Sequence, residues 1–149
     1  MKKFLASIFF CLLCYAKAES IVLVQSTGVD RGSAEAPVLA FVQPNVSNNT
    51  IIVAVRAAAH TGHDLSVTDT LGNTYRRLGT VNGGTSSTHA LFIAQNINPG
   101  VNTVTIGDTT TYGGVRIAIR EYSAFSEFTG DAVVTSGSGT VIPLNSTLA

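Results

Sequence analysis

Apolar and polar residues alternate along much of the chain in short runs that predict β-strands. Residues 115–122 (VRIAIREY) place one Val and two Ile on one face and two Arg and one Ala on the other. Residues 102–106 place Val104 and Ile106 inward and two threonines outward, and residues 90–94 repeat the pattern with a Phe opposite a Leu and an Ile. A period of two residues is typical of a strand with one buried face.

Three other apolar runs predict strands nearer the N-terminus. Residues 19–27 predict a first strand, and the four apolar residues 21–24 favour a position away from an exposed sheet edge. Pro37 precedes a second run over residues 38–43, where its missing amide donor costs little. Residues 50–59 (TIIVAVRAAA) are the most apolar of the three, and their β-branched content predicts a central strand buried on both faces.

Stretches rich in Gly, Asn, Ser and Pro separate these runs and predict loops. They cover residues 28–36, 44–49, 60–64, 82–87, 98–100 and 109–114. Residues 70–73 (TLGN) lie between strand-like runs at 65–69 and 74–81, and we expect Gly72 and Asn73 to adopt the positive φ of a tight hairpin. Short strands joined by such turns, without a helical period, predict an all-β fold: an antiparallel, jelly-roll-like β-sandwich.

Residues 1–18 predict a secretory signal peptide. Two lysines precede an apolar run over residues 4–15, and Ala16-Lys17-Ala18 is a small-x-small cleavage site. The apolar run is shorter than the roughly 20 residues that a membrane span requires. We therefore expect cleavage after Ala18, a secreted or cell-surface product without a membrane span, and a single domain over residues 19–149.

Removal of that leader changes the composition. The three lysines and both cysteines lie within residues 1–18, which leaves six arginines against nine acidic residues, a formal charge of −3. Nucleic acid and anionic lipid need a basic footprint, so this balance argues against both as partners. Without cysteine the fold must be held by core packing, for which about 130 residues suffice.

The C-terminal residues 129–149 predict only weak strands, at 132–135 and 140–142. A sandwich that lacks its closing strands has an open sheet edge, which native proteins usually protect. We therefore expect the chain to be a fragment or a truncated reading frame of a sandwich that lacks its last strands. Self-association through the open edge is a further expectation.

Three segments resemble a bacterial extracellular module. They are residues 67–75 (VTDTLGNTY), 91–106 (LFIAQNINPGVNTVTI) and 119–125 (IREYSAF), within a similarity that extends over about residues 21–138. Ala124 stands where the family often has Gly. The resemblance implies a jelly-roll sandwich within a large secreted or surface protein, with adhesion or glycan contact as its presumed role and no known catalytic residues. In that family a further strand begins near the point where this chain ends.

Two clusters are candidates for metal binding. His60, His63 and Asp64 could ligate a divalent metal if His89 or Asp69 came close, but a solvated loop is the favoured interpretation because no general-base Glu lies beside the pair. Asp69 and Asn73 could offer oxygen ligands to calcium, but their spacing matches no calcium loop. We expect their side chains to hydrogen-bond their own turn instead.

The aromatic side chains Tyr75, Phe92, Tyr112 and Tyr122 could stack on sugar rings, although the chain has no Trp. Phe92 is expected in the core and Tyr122 at a corner, donating one hydrogen bond.

Catalysis has no identifiable basis in the sequence. No GxSxG elbow occurs, and Glu121 and Glu127 lack a recognisable partner. We assign no catalytic residue, metal or cofactor, and the ligand-binding residues stay open. The expected function is that of a non-catalytic surface or adhesion module that contacts a cell-surface glycan or protein; the alternative is an accessory module or remnant of a larger secreted hydrolase.

Overall fold

The chain folds as an antiparallel β-sandwich. A computed structural model describes residues 20–32, 37–59, 61–84, 86–107 and 113–124; the expected leader and C-terminal strands lie outside these ranges. The described residues form eight strands: β1 (Val22–Gly32), β2 (Val38–Ala40), β3 (Thr50–Ala58), β4 (Ser66–Asp69), β5 (Arg76–Asn82), β6 (Ser87–Ala94), β7 (Thr103–Gly107) and β8 (Gly114–Ser123). The predicted all-β sandwich is confirmed.

Two sheets make up the sandwich. The larger has the strand order β1-β8-β3-β6-β5 and the smaller has the order β2-β7-β4, with every pair antiparallel. Strand β3 lies at the centre of the larger sheet, as its apolar sequence predicted. The expectation that β3 is buried on both faces is wrong, because Ala54 is exposed and its outward neighbours are only half-buried. The Val and Ile residues on the inward face dominate the composition of this segment, so its sequence suggested burial on both faces.

The core lies between the sheets and follows the alternation of the strands. In β8 Val115, Ile117 and Ile119 are buried, while the Arg and Ala residues between them are exposed. In β7 Val104 and Ile106 are buried between half-buried threonines. Both predictions are confirmed. Burial of these side chains supplies most of the stabilisation of a fold of this kind.

The hairpin expected around residues 70–73 is wrong. Strand β4 pairs with β7 in the smaller sheet, whereas β5 pairs with β6 in the larger one, so residues 70–75 carry the chain from one sheet to the other. Gly72 has the predicted positive φ of 69°, but Asn73 does not have a positive φ. A turn sequence describes local backbone, and it does not distinguish a hairpin from a connection between sheets.

Strand β1 also departs from prediction. It continues to Gly32 instead of ending before Gly28, and it lies at an edge of the larger sheet. Ile21, Val22 and Leu23 are about half exposed, at 55%, 53% and 49%. The strand pairs with β8 from Val22 to Gly32, with a register shift between Leu23 and Gln25, and hydrophobicity alone does not reveal this pairing.

Candidate functional site

The residues proposed for a metal site are not brought together. His63 is buried, and its backbone amide donates to Thr88 Oγ1 at 3.2 Å. The carboxylate of Asp64 forms an ion pair with Arg77 at 2.8 Å, and His89 lies on β6, where its Nε2 is 3.2 Å from Ser87 Oγ. His60 lies outside the described residues. Among the residues described, no three His, Cys, Asp or Glu side chains are grouped as a metal would require.

Asp69 and Asn73 hydrogen-bond their own turn, as expected. Asp69 Oδ1 accepts from the backbone amides of Leu71 at 3.1 Å and Asn73 at 3.0 Å, the arrangement of an Asx turn. Asp69 Oδ2 accepts from Asn73 Nδ2 at 2.7 Å, Tyr75 Oη at 2.8 Å and Asn102 Nδ2 at 2.9 Å. The carboxylate is saturated by donors from its own turn and from the residue that precedes β7.

This network changes the acidity of both partners. Burial alone would raise the pKa of Asp69, but the hydrogen bonds from Asn102, Asn73 and Tyr75 outweigh it and hold the pKa below its ordinary value. Burial, followed by the hydrogen bond to Asp69 and its charge, raises the pKa of Tyr75 well above its ordinary value. Tyr75 is therefore a structural hydrogen-bond donor, and its partly buried ring packs against the core.

A second buried carboxylate, Glu121 in β8, was not singled out as a structural residue from the sequence. Its side chain is completely buried and accepts four hydrogen bonds. Oε2 accepts from Gln25 Nε2 and Asn45 Nδ2, both at 2.6 Å, and Oε1 accepts from Asn49 Nδ2 at 2.6 Å and from the Val46 amide at 2.8 Å. The loop between β2 and β3 is therefore fastened to β8.

The sequence contained a signal for this role. Inward positions of β8 fall at every second residue from Val115, so the same period that predicted the core places Glu121 inward. A buried carboxylate needs hydrogen-bond donors, and the Asn-rich turn at residues 44–49 supplies them. Burial alone would raise the pKa of Glu121, but the hydrogen bonds from Val46, Gln25, Asn49 and Asn45 hold it below its ordinary value.

A shallow trough lies on the outer face of the larger sheet, away from the core. Its floor is a row of small or aliphatic residues that the strand register places side by side from β1 to β5: Gly28, Ala118, Ala54, Leu91 and Gly79. Two concavities of about 420 and 390 Å³ adjoin here, because Ala54, Leu91 and Ala118 line both of them. The other outward-facing lining residues are Ile52, Arg56, His89, Arg116, Arg120 and Tyr122.

Of the aromatic residues considered for sugar stacking, Tyr122 is the one that the structure places at the trough. Phe92 is in the core, as expected, with the guanidinium of Arg77 at 5.5 Å from its ring centroid. Tyr75 is held by Asp69, and Tyr112 lies outside the described residues. The alternation of β8 predicted that Arg116 and Arg120 share its outward face, but no site was proposed there. Their grouping with Arg56 and His89 depends on the pairing of strands that are distant in the chain.

Comparison with known protein families, curated proteins and solved structures finds no match for this chain. Among the residues described, no helix has the length and apolar character needed to cross a membrane.

Proposed function

We propose that this chain is a secreted, non-catalytic binding module that contacts a glycan through the trough. The observation that carries the proposal is the open row of Ala54, Leu91 and Ala118, flanked by arginine, histidine and tyrosine side chains. Sugar rings combine apolar C–H faces with a rim of hydroxyl groups. A flat aliphatic floor with polar side chains at its margins complements both, as ligand sites generally do.

The environment of the carboxylates supports a role without catalysis. A glycosidase uses two carboxyl groups that face each other across the bound sugar. Asp69 and Glu121, the two extensively hydrogen-bonded carboxylates of the described residues, point into networks that fasten loops to strands, and neither lines the trough. Their hydrogen-bond capacity is used within the fold.

The test is to fill the floor of the trough and measure glycan binding. Ala118 lies between Gly28 and Ala54, so Ala118→Tyr adds a β-favouring side chain where neighbouring residues leave room. Ala40→Tyr, at an exposed position of β2 in the smaller sheet, is the matched control. All three proteins are expressed from the full sequence and purified in the form that the host cell produces. Each is then titrated with a panel of neutral and acidic polysaccharides.

We expect at least one polysaccharide to bind the wild type and Ala40→Tyr equally, and Ala118→Tyr to bind it at least tenfold more weakly. Thermal unfolding of all three proteins checks that the substitutions leave the fold intact. If no polysaccharide binds, or if the two tyrosine variants lose binding to the same extent, glycan contact through the trough is excluded.

A further inference from the structure

The outer face of the larger sheet carries positive charge, although residues 19–149 have a formal charge of −3 and the full chain has a net charge of zero. Four of the six arginines outside the leader project from this face: Arg56, Arg76, Arg116 and Arg120. Asp30 is the acidic residue that the described part of the chain places on the same face, opposite Arg116. The formal surplus is three positive charges, so the overall charge of −3 predicted for the secreted chain conceals a local basic surface.

Two of these arginines face each other directly across the strands. Arg56 of β3 is paired with Arg116 of β8, and like charges at opposed positions destabilise a sheet. Arg116 Nε donates to Asp30 Oδ2 at 2.6 Å, which offsets part of this repulsion. Among the described residues Arg56 and Arg120 have no ion pair or hydrogen bond through their guanidinium groups. Their donors are therefore available to a bound anion.

We propose that the ligand of the trough is a polysaccharide that carries carboxylate groups along its length. This inference rests on the proposed function and specifies the chemical class of the glycan. The guanidinium group presents two parallel N–H donors that match a carboxylate, which makes arginine well suited to bind uronate residues. The sugar rings between the carboxylates lie on Ala54 and Ala118.

The separation of the arginines favours a polymer over a single sugar. Arg116 and Arg120 lie four residues apart on the same face of β8, a distance of about 13 Å at the usual rise per residue. Ala118 lies between them, and Tyr122 continues the same line. A single uronate carries one carboxylate, whereas an oligouronate that lies along β8 can place one carboxylate at each end of the floor.

The same features disfavour a nucleic acid. Single strands bind to grooves in which successive bases stack on several aromatic rings. Tyr122 is the aromatic residue that lines this trough, and the floor beside it consists of alanine and leucine.

The experiment compares two forms of one polymer. Polygalacturonate and the same polymer with its carboxylates methyl-esterified are titrated calorimetrically into the purified protein, with a chelator present to prevent gelation by calcium. Neutral β-glucan and oligo-deoxythymidine are the other two ligands. The variants are Arg56→Gln, Arg120→Gln and the control Thr68→Glu, which lowers the net charge by the same amount at an exposed position of β4.

We expect polygalacturonate to bind and its ester to bind at least tenfold more weakly. Arg56→Gln and Arg120→Gln should each weaken binding about tenfold, as expected when a charged hydrogen-bond partner is removed, while Thr68→Glu has little effect. Raising the salt from 0.1 to 1 M shortens the Debye length from about 10 to about 3 Å and should weaken binding by a similar factor.

The outcomes separate this inference from the proposed function. If the ester and the acid bind equally, the ligand is not specifically acidic, but the proposed glycan module stands. The same conclusion follows if neutral β-glucan binds and Ala118→Tyr abolishes this binding while the arginine variants do not. Binding of no polysaccharide overturns both. Tight binding of oligo-deoxythymidine that Arg56→Gln abolishes would assign the trough to nucleic acid instead.

Discussion

Replacing Glu121 by Gln is expected to destabilise the fold by about 3 kcal/mol. The substitution keeps the shape of the side chain but converts one carboxylate oxygen into an NH₂ group. Each oxygen of Glu121 accepts two hydrogen bonds, so in either orientation of the amide two of the four donors lose their acceptor. A hydrogen bond to a charged group contributes about 1.5 kcal/mol or more, which gives about 3 kcal/mol for two.

Thermal unfolding followed by circular dichroism measures this effect. For a domain of about 130 residues, a loss of about 3 kcal/mol lowers Tm by roughly 10 °C. Asp64→Asn is the matched control, because it also converts a carboxylate to an amide. Asp64 is 68% exposed in its ion pair with Arg77, and such a pair contributes less than about 1 kcal/mol.

The reasoning is refuted if Glu121→Gln melts within about 2 °C of the wild type. It is refuted equally if Asp64→Asn is as destabilising as Glu121→Gln, since the loss would then reflect charge and not the four buried hydrogen bonds. A reduced Tm with an unchanged slope in denaturant titrations would show that the native state keeps its compactness.

Three further predictions follow from the buried networks and the sheet edge. The folded pKa of Glu121 lies below its ordinary value of 4.5, so its contribution to stability should be complete above pH 4.5 and be lost as the pH falls from there towards the folded pKa. Denaturant titrations between about pH 6 and 3 should show a smaller loss of stability in Glu121→Gln than in the wild type. An equal loss in both proteins would contradict the assignment. Burial and the hydrogen bond to Asp69 should keep the phenol of Tyr75 protonated beyond pH 10. The ultraviolet titration of tyrosine near pH 10 should therefore be the same in Tyr75→Phe as in the wild type. A smaller amplitude in the variant would show that Tyr75 ionises normally. Strand β1 exposes apolar side chains at an edge of the larger sheet, so we expect the protein to self-associate through this edge. Sedimentation should show association that increases with protein concentration and is weakened by Val22→Lys. A wild-type protein that is monomeric at every concentration would contradict this prediction.

The parts of the fold that depend on local periodicity could be predicted, and those that depend on pairing could not. The inward and outward faces of β7 and β8 follow from their alternation, and β3 was recognised as central from its apolar content. The sequence around residues 70–73 predicts a turn equally well for a hairpin and for a connection between sheets. The choice depends on β7, which offers β4 a partner in the smaller sheet.

The same distinction explains what sequence reasoning found of the candidate site. Asp69 was correctly expected to serve its own turn, because an Asx turn involves residues close in the chain. The trough joins Arg56, His89 and Arg120 from three strands, and their common face follows from cross-strand register. A one-residue change of register would turn any of these side chains towards the other face.

The central claim is that the outer face of the larger sheet binds an acidic glycan, and nuclear magnetic resonance tests it most directly. Short oligogalacturonates are titrated into the ¹⁵N-labelled protein while the amide signals are followed. We predict that the shifts concentrate at the outward residues of β3, β6 and β8, centred on Ala54 and Ala118, and are absent from the outward residues of β2 and β7. Shifts centred on the smaller sheet, or none at saturating oligosaccharide, would contradict the account.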